Sequence, residues 1–521
     1  MSFAGRIIYN SIVFDFVRQW SDFAVRKAQH QAISRSAARI RETLNFANQD
    51  LIQARRERIT AQELAELLQF NEYAKDGSSF EFLRDRDFGG YWNFEKTLNN
   101  NDEVAGTFTR THVANSDSYI DPSTGLITFA GAADTPRYPG GKYGHGIIVE
   151  GSRTNIVQNQ GMDHADWVKT NFTVSDNDTT ELLDPAGGNN ADKITAAANN
   201  ATAILTPAVA VGTDDGAFSV WIACPSGTVA GSIIIDDDSD SNTTTQAFTA
   251  TPEWQRIQVV YENIGDPSDN WQVTIKIDTS ADVLYIYGPQ LEVGADVLFM
   301  SNFILTAGAT VTRNDELLLY AAANIVNKLK GSIGFWFKPE WIYNKHANAC
   351  LLWIHDSGDA GRHTSIYALS TGNLEYRVYD GTGTANEIVF SMSGISQDTW
   401  HHLFFTYDTT IANGLKIYID GALVATDTND AFVPEVIGTS IALGATAAGG
   451  DESFCEFDEV IIRKDVLPVS TINQIYQQGV GLGEIRNRWA SVALTNPDFL
   501  EEQLKGINRY NFQLLMEEIL S

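Results

Sequence analysis

Cysteine is scarce in this chain of 521 residues: Cys224, Cys350 and Cys455 form an odd, widely spaced set without a CxxC pair. Such a set builds neither a disulfide framework nor a cysteine zinc site, and buried free thiols are the expectation. Positive charge is short as well, with 36 Lys and Arg against 66 Asp and Glu and a formal charge of −30. That balance argues against a general affinity for nucleic acid, which needs clustered Lys and Arg to meet phosphates. Long apolar runs are missing too. The opening MSFAGRIIYNSIVFDFVRQW is broken by Asn10, Asp15 and Arg18, so it lacks the layout of a signal peptide and the length of a membrane span. Synthesis in a cytoplasm and no membrane insertion are expected. Also absent are GxSxG, a phosphate-binding glycine loop and a Ser/His/Asp pattern.

What is present is periodicity, and it changes along the chain. A length of 521 residues exceeds one core and predicts two to four units. Over residues 1–75, Ile12, Phe16, Trp20 and Phe23 recur at three- and four-residue steps, with no Gly or Pro between Arg6 and Asp76. This predicts an α-helical anchor or oligomerisation segment, with Thr60 and Glu63 as a capping box that starts a second helix. Residues 1–70 hold ten Lys and Arg against seven Asp and Glu, so a slightly basic end precedes an acidic body and suits a different partner. Residues 76–106 are rich in Gly, Asp and Asn and predict a linker.

Two series of short alternating segments follow. Over 107–315 they include GAFSVWIA, SIIID, RIQVVY, VTIKI and VLYIY, and over 316–480 they include SIGFWFKP, CLLWIHD, LEYRVYD, WHHLFFTYD and FDEVIIR. Period-two alternation between Gly, Asp, Asn and Thr clusters predicts β-sandwiches. In IDGALV, the Asp420-Gly421 pair predicts a tight hairpin with glycine supplying positive φ. The chain returns to helix in PVSTINQIYQQG and over 481–521, where Asn496 caps and Pro497 takes the first helical position. The fold class expected is therefore mainly β: two consecutive jelly-roll-like sandwiches, an α-helical N-terminal anchor and a C-terminal helical tail.

Two resemblances rest on specific residues. FTRTHVANSDSYIDPSTGLI (108–127), GIIVEGSRTNIV (146–157), Trp167, EWQRIQVVY (253–261), YIYGPQLEVGA and TAGATVTRNDE resemble, in order and spacing, a carbohydrate-binding-module-like β-sandwich common in bacteriophage tail and virion structural proteins. GSIGFWFKP (331–339), TWHHLFFTYD (399–408), KIYIDGALVA (416–425), SIALGA (440–445) and FDEVIIRKDVLPVSTINQIYQQG (457–479) resemble the laminin-G-like, concanavalin A-like jelly roll. Together they imply a non-enzymatic virion protein, a tail or fibre component or else a capsid decoration or head-fibre protein. Its helical end would bind other virion proteins and assemble a homo-oligomer, a trimer being favoured. Its sandwiches would meet host-surface glycan or neighbouring subunits.

The carboxylates of CEFDEVII (455–462) raise the competing reading of a glycan-degrading enzyme, since Glu456 and Asp458 share one face of a strand. Glycosidases of the related fold use a second glutamate four or five positions on, and here those positions are Val460 and Ile461. The resemblance instead allows Asp458 to hold a structural Ca²⁺ with nearby carbonyls, beside the plainer role of accepting backbone hydrogen bonds. Asp236, Asp238 and Asp240 mimic a calcium loop but lack its Gly and distal Glu, so a solvated hairpin tip is favoured. His401 and His402, adjacent on a strand, point to opposite faces and predict packing, not chelation. Trp341 and Tyr343, with Asp356, Arg362 and His363 from the loop DSGDAGRHTS, are the candidate glycan contacts, weighed against a core role for the aromatics. The 317–480 segment is expected to fold alone.

Overall fold

The computed structural model describes residues 106–477 apart from 145, 179, 207, 238–241, 263–269, 324, 357–362 and 435–436, together with the strand Phe88–Trp92 and Phe94. Backbone alone is described for the short strands Gly5–Tyr9, Ile12–Asp15, Asp22–Lys27, Asp50–Arg56, Glu81–Arg84 and Phe512–Leu515. Most of the expected anchor over 1–75 and helical tail over 481–521 lies outside the described residues. Where described, those segments are extended and not helical: GRIIY pairs antiparallel with IVFD, Arg6 opposite Asp15, as short runs rich in β-branched and aromatic residues favour.

The first sandwich spans residues 153–313. One sheet has the order Trp167–Thr170, Ala201–Leu205, Asn270–Ile277, Val229–Asp237, Thr243–Ala250; the other runs Phe172–Ser175, Asp192–Ala196, Val283–Gly294, Asp215–Ala223, Gln255–Tyr261, all antiparallel. The alternation read from GAFSVWIA sends Phe218, Val220 and Ile222 inward, where they meet Ile233, Ile235, Val273 and Ile275 around Trp167 and Trp271. Gly216 permits this packing, because a Cβ there would stand 2.1 Å from the Trp271 ring.

The second sandwich holds the larger core. Its first sheet has the order Ile147–Val149, Cys455–Arg463, Lys330–Pro339, His401–Asp408, Leu415–Ile419, Ala422–Thr426, and Phe88–Trp92 also pairs with Cys455–Arg463. Its second sheet has seven strands: Ala385–Ser391, Asn373–Tyr379, His363–Leu369, Ala349–Asp356, Ile437–Leu443, Leu317–Ala321, Gly106–Thr109. Helix Val469–Gln477, as read from PVSTINQIYQQG, lies over the outside of the first sheet, packing Ile472 and Ile475 on Phe404, Tyr418 and Ile461. Asp420 and Gly421 both adopt positive φ (50° and 81°), the hairpin conformation that IDGALV implies. Cys224, Cys350 and Cys455 are free and buried.

The arrangement corrects the expectation of consecutive sandwiches. Gly106–Thr109 pairs with Leu317–Ala321, and Ile147–Val149 pairs with Cys455–Arg463, so strands expected in the first sandwich complete the second. Trp92, Phe108, Ile147 and Val149 all join the second core. The first sandwich is thus an insertion, and its ends meet where Arg153–Asn155 pairs with Val311–Arg313. The linker expected over 76–106 likewise contains two strands, Glu81–Arg84 and Phe88–Trp92, the second of which joins the jelly roll. Its Gly-Gly pair reads as a turn, yet Gly is tolerated on a strand whose aromatics pack, and Trp92 sits 4.8 Å from the Tyr320 ring.

Candidate functional site

Of the residues singled out for glycan contact, Trp341 is only 1% exposed; its indole N–H donates to the Ser453 carbonyl (2.7 Å) and its ring lies 4.0 Å from that of His346. A ring held on both counts inside the core offers no face to a sugar, and the core alternative describes it. Tyr343 is part-buried against Gly372, where an added Cβ would come within 3.0 Å of its ring. Asp356 and His363 end and begin adjacent strands of the seven-stranded sheet, but their side chains lie outside the described residues, as does Arg362.

Asp458 is fully buried, and its carboxylate oxygens accept the amide N–H groups of Tyr143 (2.9 Å) and Glu459 (2.8 Å). Burial, and then Glu459, push its carboxyl well above the ordinary range. Asp458 thus faces N–H donors, as in the plainer of its two expected roles, that of accepting backbone hydrogen bonds. Asp458→Ala is therefore expected to cost about 1–3 kcal/mol from the orphaned amides, with the same loss of melting temperature in Ca²⁺ and in chelator; a difference between the two would restore the ion.

Glu456 is not half of an acid pair either. It pairs with Lys338, whose ammonium also lies over the Trp400 ring. His401 and His402 are buried as read: His401 Nδ1 meets Asp420 (3.0 Å), while His402 packs 5.0 Å from Trp336, and burial lowers its pKa to about 4. Asp236 accepts the Thr243 hydroxyl (2.9 Å) at the hairpin whose tip, with Asp238 and Asp240, lies outside the described residues. Among the described residues, one acidic group is close enough to share an ion: Asp163, Asp176 and Asp192, ligand atoms within 4.8 Å. Burial raises the Asp192 carboxyl to about 6 against its amide partners Asn177 and Met162, with Asp176 adding to the rise. The Lys169 ammonium takes the adjacent carbonyls of Met162, Asp163 and His164 at 2.9–3.1 Å.

On the outer face of the seven-stranded sheet Cys350, Trp353, Ser365, Tyr367, Glu375 and Ala442 are buried, and Arg377, Tyr379 and Glu387 are polar groups with exposure. Strand register sets Leu319, Ala442, Trp353, Ser365, Arg377 and Glu387 side by side across that face, and Cys350, Tyr367, Glu375 and Val389 in the next row. The Arg377 guanidinium is clamped between two carboxylates, Nη2 to Glu375 (2.8 Å) and Nε to Glu387 (3.3 Å), and lies 5.8 Å from the Tyr379 ring. Burial raises the Glu375 carboxyl while Arg377 draws it down. Tyr367 donates to Asp451 (3.0 Å), and the buried Ser365 hydroxyl has no hydrogen-bond partner. Sugar hydrolysis needs two carboxyl groups facing each other across the scissile bond. Here the Arg377 guanidinium lies between Glu375 and Glu387 and bonds both. The signal was in LEYRVYD, where Glu375, Arg377 and Tyr379 at alternate positions share one strand face.

A second constellation is buried at the joint of the two sandwiches. Arg137 bonds both oxygens of Glu316 (2.9 and 2.6 Å) and reaches Glu150 (2.5 Å); Arg110 meets Glu316 (2.6 Å) and Asp117 (3.2 Å); Arg313 meets Glu150 (3.1 Å), and all these side chains are fully buried. From the insertion, Asn302 N–H donates to Glu150 (3.0 Å), and Arg153 links Glu292 (3.6 Å) to the Phe454 ring (4.3 Å). Burial works against the Arg137 charge, but Glu316 and Glu150 outweigh it and hold the guanidinium above its ordinary value. Burial likewise opposes the Glu150 charge, and Arg313 with Arg137 holds that carboxyl at about 2. Arg110, Asp117, Glu150, Arg153, Glu292, Arg313 and Glu316 belong to the quoted segments FTRTHVANSDSYI, GIIVEGSRTNIV, YIYGPQLEVGA and TRNDE, whereas Arg137 and Asn302 lie outside them.

Residues 312–473 match the family described as the concanavalin A-like lectin/glucanases superfamily. The second sandwich is a concanavalin A-like jelly roll. No curated protein matches the chain. Solved structures with similarity include the receptor binding domain of botulinum neurotoxin C/D mosaic serotype (18% identity, 32% of this chain and 40% of that one, TM-score 0.27). The receptor binding domain of botulinum neurotoxin D (19%, 31% and 41%, 0.26) and the binding domain of serotype G (15%, 31% and 40%, 0.27) are comparable. The chain thus spans about 40% of the length of those structures, and likeness at such scores assigns neither ligand nor activity. Among the described residues, no helix is long and apolar enough to cross a membrane.

Proposed function

We propose that this chain is a non-enzymatic structural component of a bacteriophage virion, in the tail or fibre, whose jelly roll holds host-surface glycan on the outer face of its seven-stranded sheet. The observation that carries the binding role is Arg377, fixed between Glu375 and Glu387 beside Tyr379: a charged, oriented donor next to an aromatic ring. The virion setting is supported by the sequence resemblance of residues 107–315, whose quoted segments supply most residues of the buried joint. Residues 1–75 would join other virion proteins and assemble copies, so that weak single sites add in avidity.

On an array of bacterial surface glycans, the full-length protein is expected to be retained, and Arg377→Ala to weaken retention on the order of tenfold or more with little change in melting temperature. Release of reducing ends from polysaccharide by the wild type, abolished by Glu375→Gln or Glu456→Gln, would overturn the non-enzymatic reading. Gold-labelled antibody on intact particles should mark the tail. Label on head faces would move the protein to capsid decoration, and particles without label would remove the virion role.

A further inference from the structure

The buried joint contains one acid whose environment does not suit its charge. Glu340 follows the strand Lys330–Pro339; its N–H donates to the Phe454 carbonyl (3.0 Å) and its own carbonyl accepts from Gln397 (2.6 Å). One carboxyl oxygen, Oε1, accepts from the Asn302 side-chain amide (2.5 Å). The other, Oε2, is closed to solvent and has no donor, although the residue as a whole is part-exposed. Among the described residues no ion pair reaches it. Glu150 stands beside it in hydrogen-bonding contact, and Glu150 Oε2 is also buried without a hydrogen bond, although the Arg137 guanidinium lies 2.5 Å away as an ion pair. The unpartnered Glu340 oxygen beside a second carboxyl group is resolved by a single hydrogen: protonated Glu340 donates from Oε2 to the Glu150 carboxylate.

We infer that Glu340 and Glu150 share one proton, that this proton with Asn302 latches the insertion to the jelly roll, and that its loss on the alkaline side loosens the joint. The alternative, two carboxylates in contact, would place a second buried negative charge against the first, with one amide bonded to it and the nearby Arg313 guanidinium already paired with Glu150. The groups facing the pair divide the charge accordingly. Arg137 and Arg313 are committed to Glu150; Arg153 and Arg256 approach from the insertion; Asp398, Glu456 and the Cys455 thiol approach from the jelly roll and add no positive charge. Burial first, and Glu150 second, raise the Glu340 carboxyl well above its ordinary value. An acid raised on folding contributes stability that is complete below its unfolded pKa and is lost as pH climbs through its folded one. The joint is therefore weakest in alkali, opposite in sign to the arginine-paired Glu150, whose contribution fails in strong acid.

The test compares the full-length wild type with Glu340→Gln, which keeps an acceptor for Asn302 and gives Glu150 a permanent N–H donor that does not titrate. Between about pH 5 and about pH 9 the wild-type melting temperature is expected to fall further than the variant's, by on the order of 5 °C. At neutral pH the wild type should show the infrared C=O stretch of a protonated carboxyl group that the variant lacks. Equal pH slopes, or no difference in that band, would overturn the shared proton. Should the substitution prevent folding, the wild type carrying ¹³C-carboxyl glutamate answers alone: a protonated glutamate band at neutral pH that persists in Glu456→Gln supports the latch, and its absence removes it.

Discussion

A chain in which residues 154–312 are replaced by a short Gly/Ser linker is expected to keep the jelly roll folded, whereas the isolated 317–480 segment is expected not to fold. The sequence reading pointed the other way for that segment. Its reversal follows from the three strands that precede the insertion: Phe88–Trp92 and Ile147–Val149 flank Cys455–Arg463, and Gly106–Thr109 closes the edge at Leu317–Ala321. Cutting at 317 strips Trp92, Phe108, Ile147 and Val149 from the core. At about 1.5–3 kcal/mol for each large buried side chain, the loss is on the order of 10 kcal/mol, as much as a domain's whole stability. The central strand Cys455–Arg463 would also lose partners along one side.

The excision, by contrast, leaves all of these in place. Arg153 stands opposite Arg313 in an antiparallel pair, so the cut ends lie about 5 Å apart and a few residues span them. Among what the retained chain forfeits are the Phe299 contact on Phe454, the Asn302 bonds to Glu150 and Glu340, the Ser118 bond to the Phe303 carbonyl and the packing of Ile127 with Tyr285 and Phe303. Reduced but cooperative thermal unfolding is the expected outcome for the excised chain, with none for the 317–480 segment. Cooperative melting of that segment near the full-length temperature would contradict the nested arrangement.

Arg137→Met is expected to destabilise the protein by about 3–5 kcal/mol, lowering the melting temperature by on the order of 10 °C. Arg137 is buried completely, and it alone bonds both oxygens of Glu316 while reaching Glu150 and the Ser118 carbonyl. Methionine fills much of the volume, so the loss measures the charge left behind: Glu316 keeps Arg110 and the Glu150 amide, but its second oxygen loses its guanidinium. Adding Glu316→Gln to Arg137→Met should recover part of the loss, because the uncompensated charge is removed with its partner. A cost below about 1 kcal/mol for Arg137→Met would mean that the network is no more than a surface-like ion pair. The strip proposed to hold glycan lies on the seven-stranded sheet, away from Arg137, so any retention at permissive temperature should persist in this variant.

Much of the strand content was legible in alternation. GAFSVWIA, VTIKI and WHHLFFTYD run where their periods place them, and IDGALV turns on two left-handed residues as its Asp-Gly pair requires. The functional candidates were less legible. Trp341 was read from its place near a strand end, but burial is set by what folds over a residue, and Ser453, whose carbonyl takes the indole N–H, lies 112 positions away. Glu375, Arg377 and Tyr379 lay in a segment read only as a strand, since a shared face becomes a surface only when the neighbouring strands supply Trp353, Ser365 and Glu387 in register.

By itself the sequence determined what local chemistry determines: a mainly β chain, free thiols, hairpin turns, an acidic surface, and Val460 and Ile461 where a second catalytic glutamate would stand. Only the tertiary structure decided that one sandwich is inserted in the other, and that Arg110, Arg137, Glu150, Arg313 and Glu316 form one buried network. Those partners lie as many as 206 positions apart. Pairing across such separations is selected by the total burial and charge compensation it allows, and no local period records it.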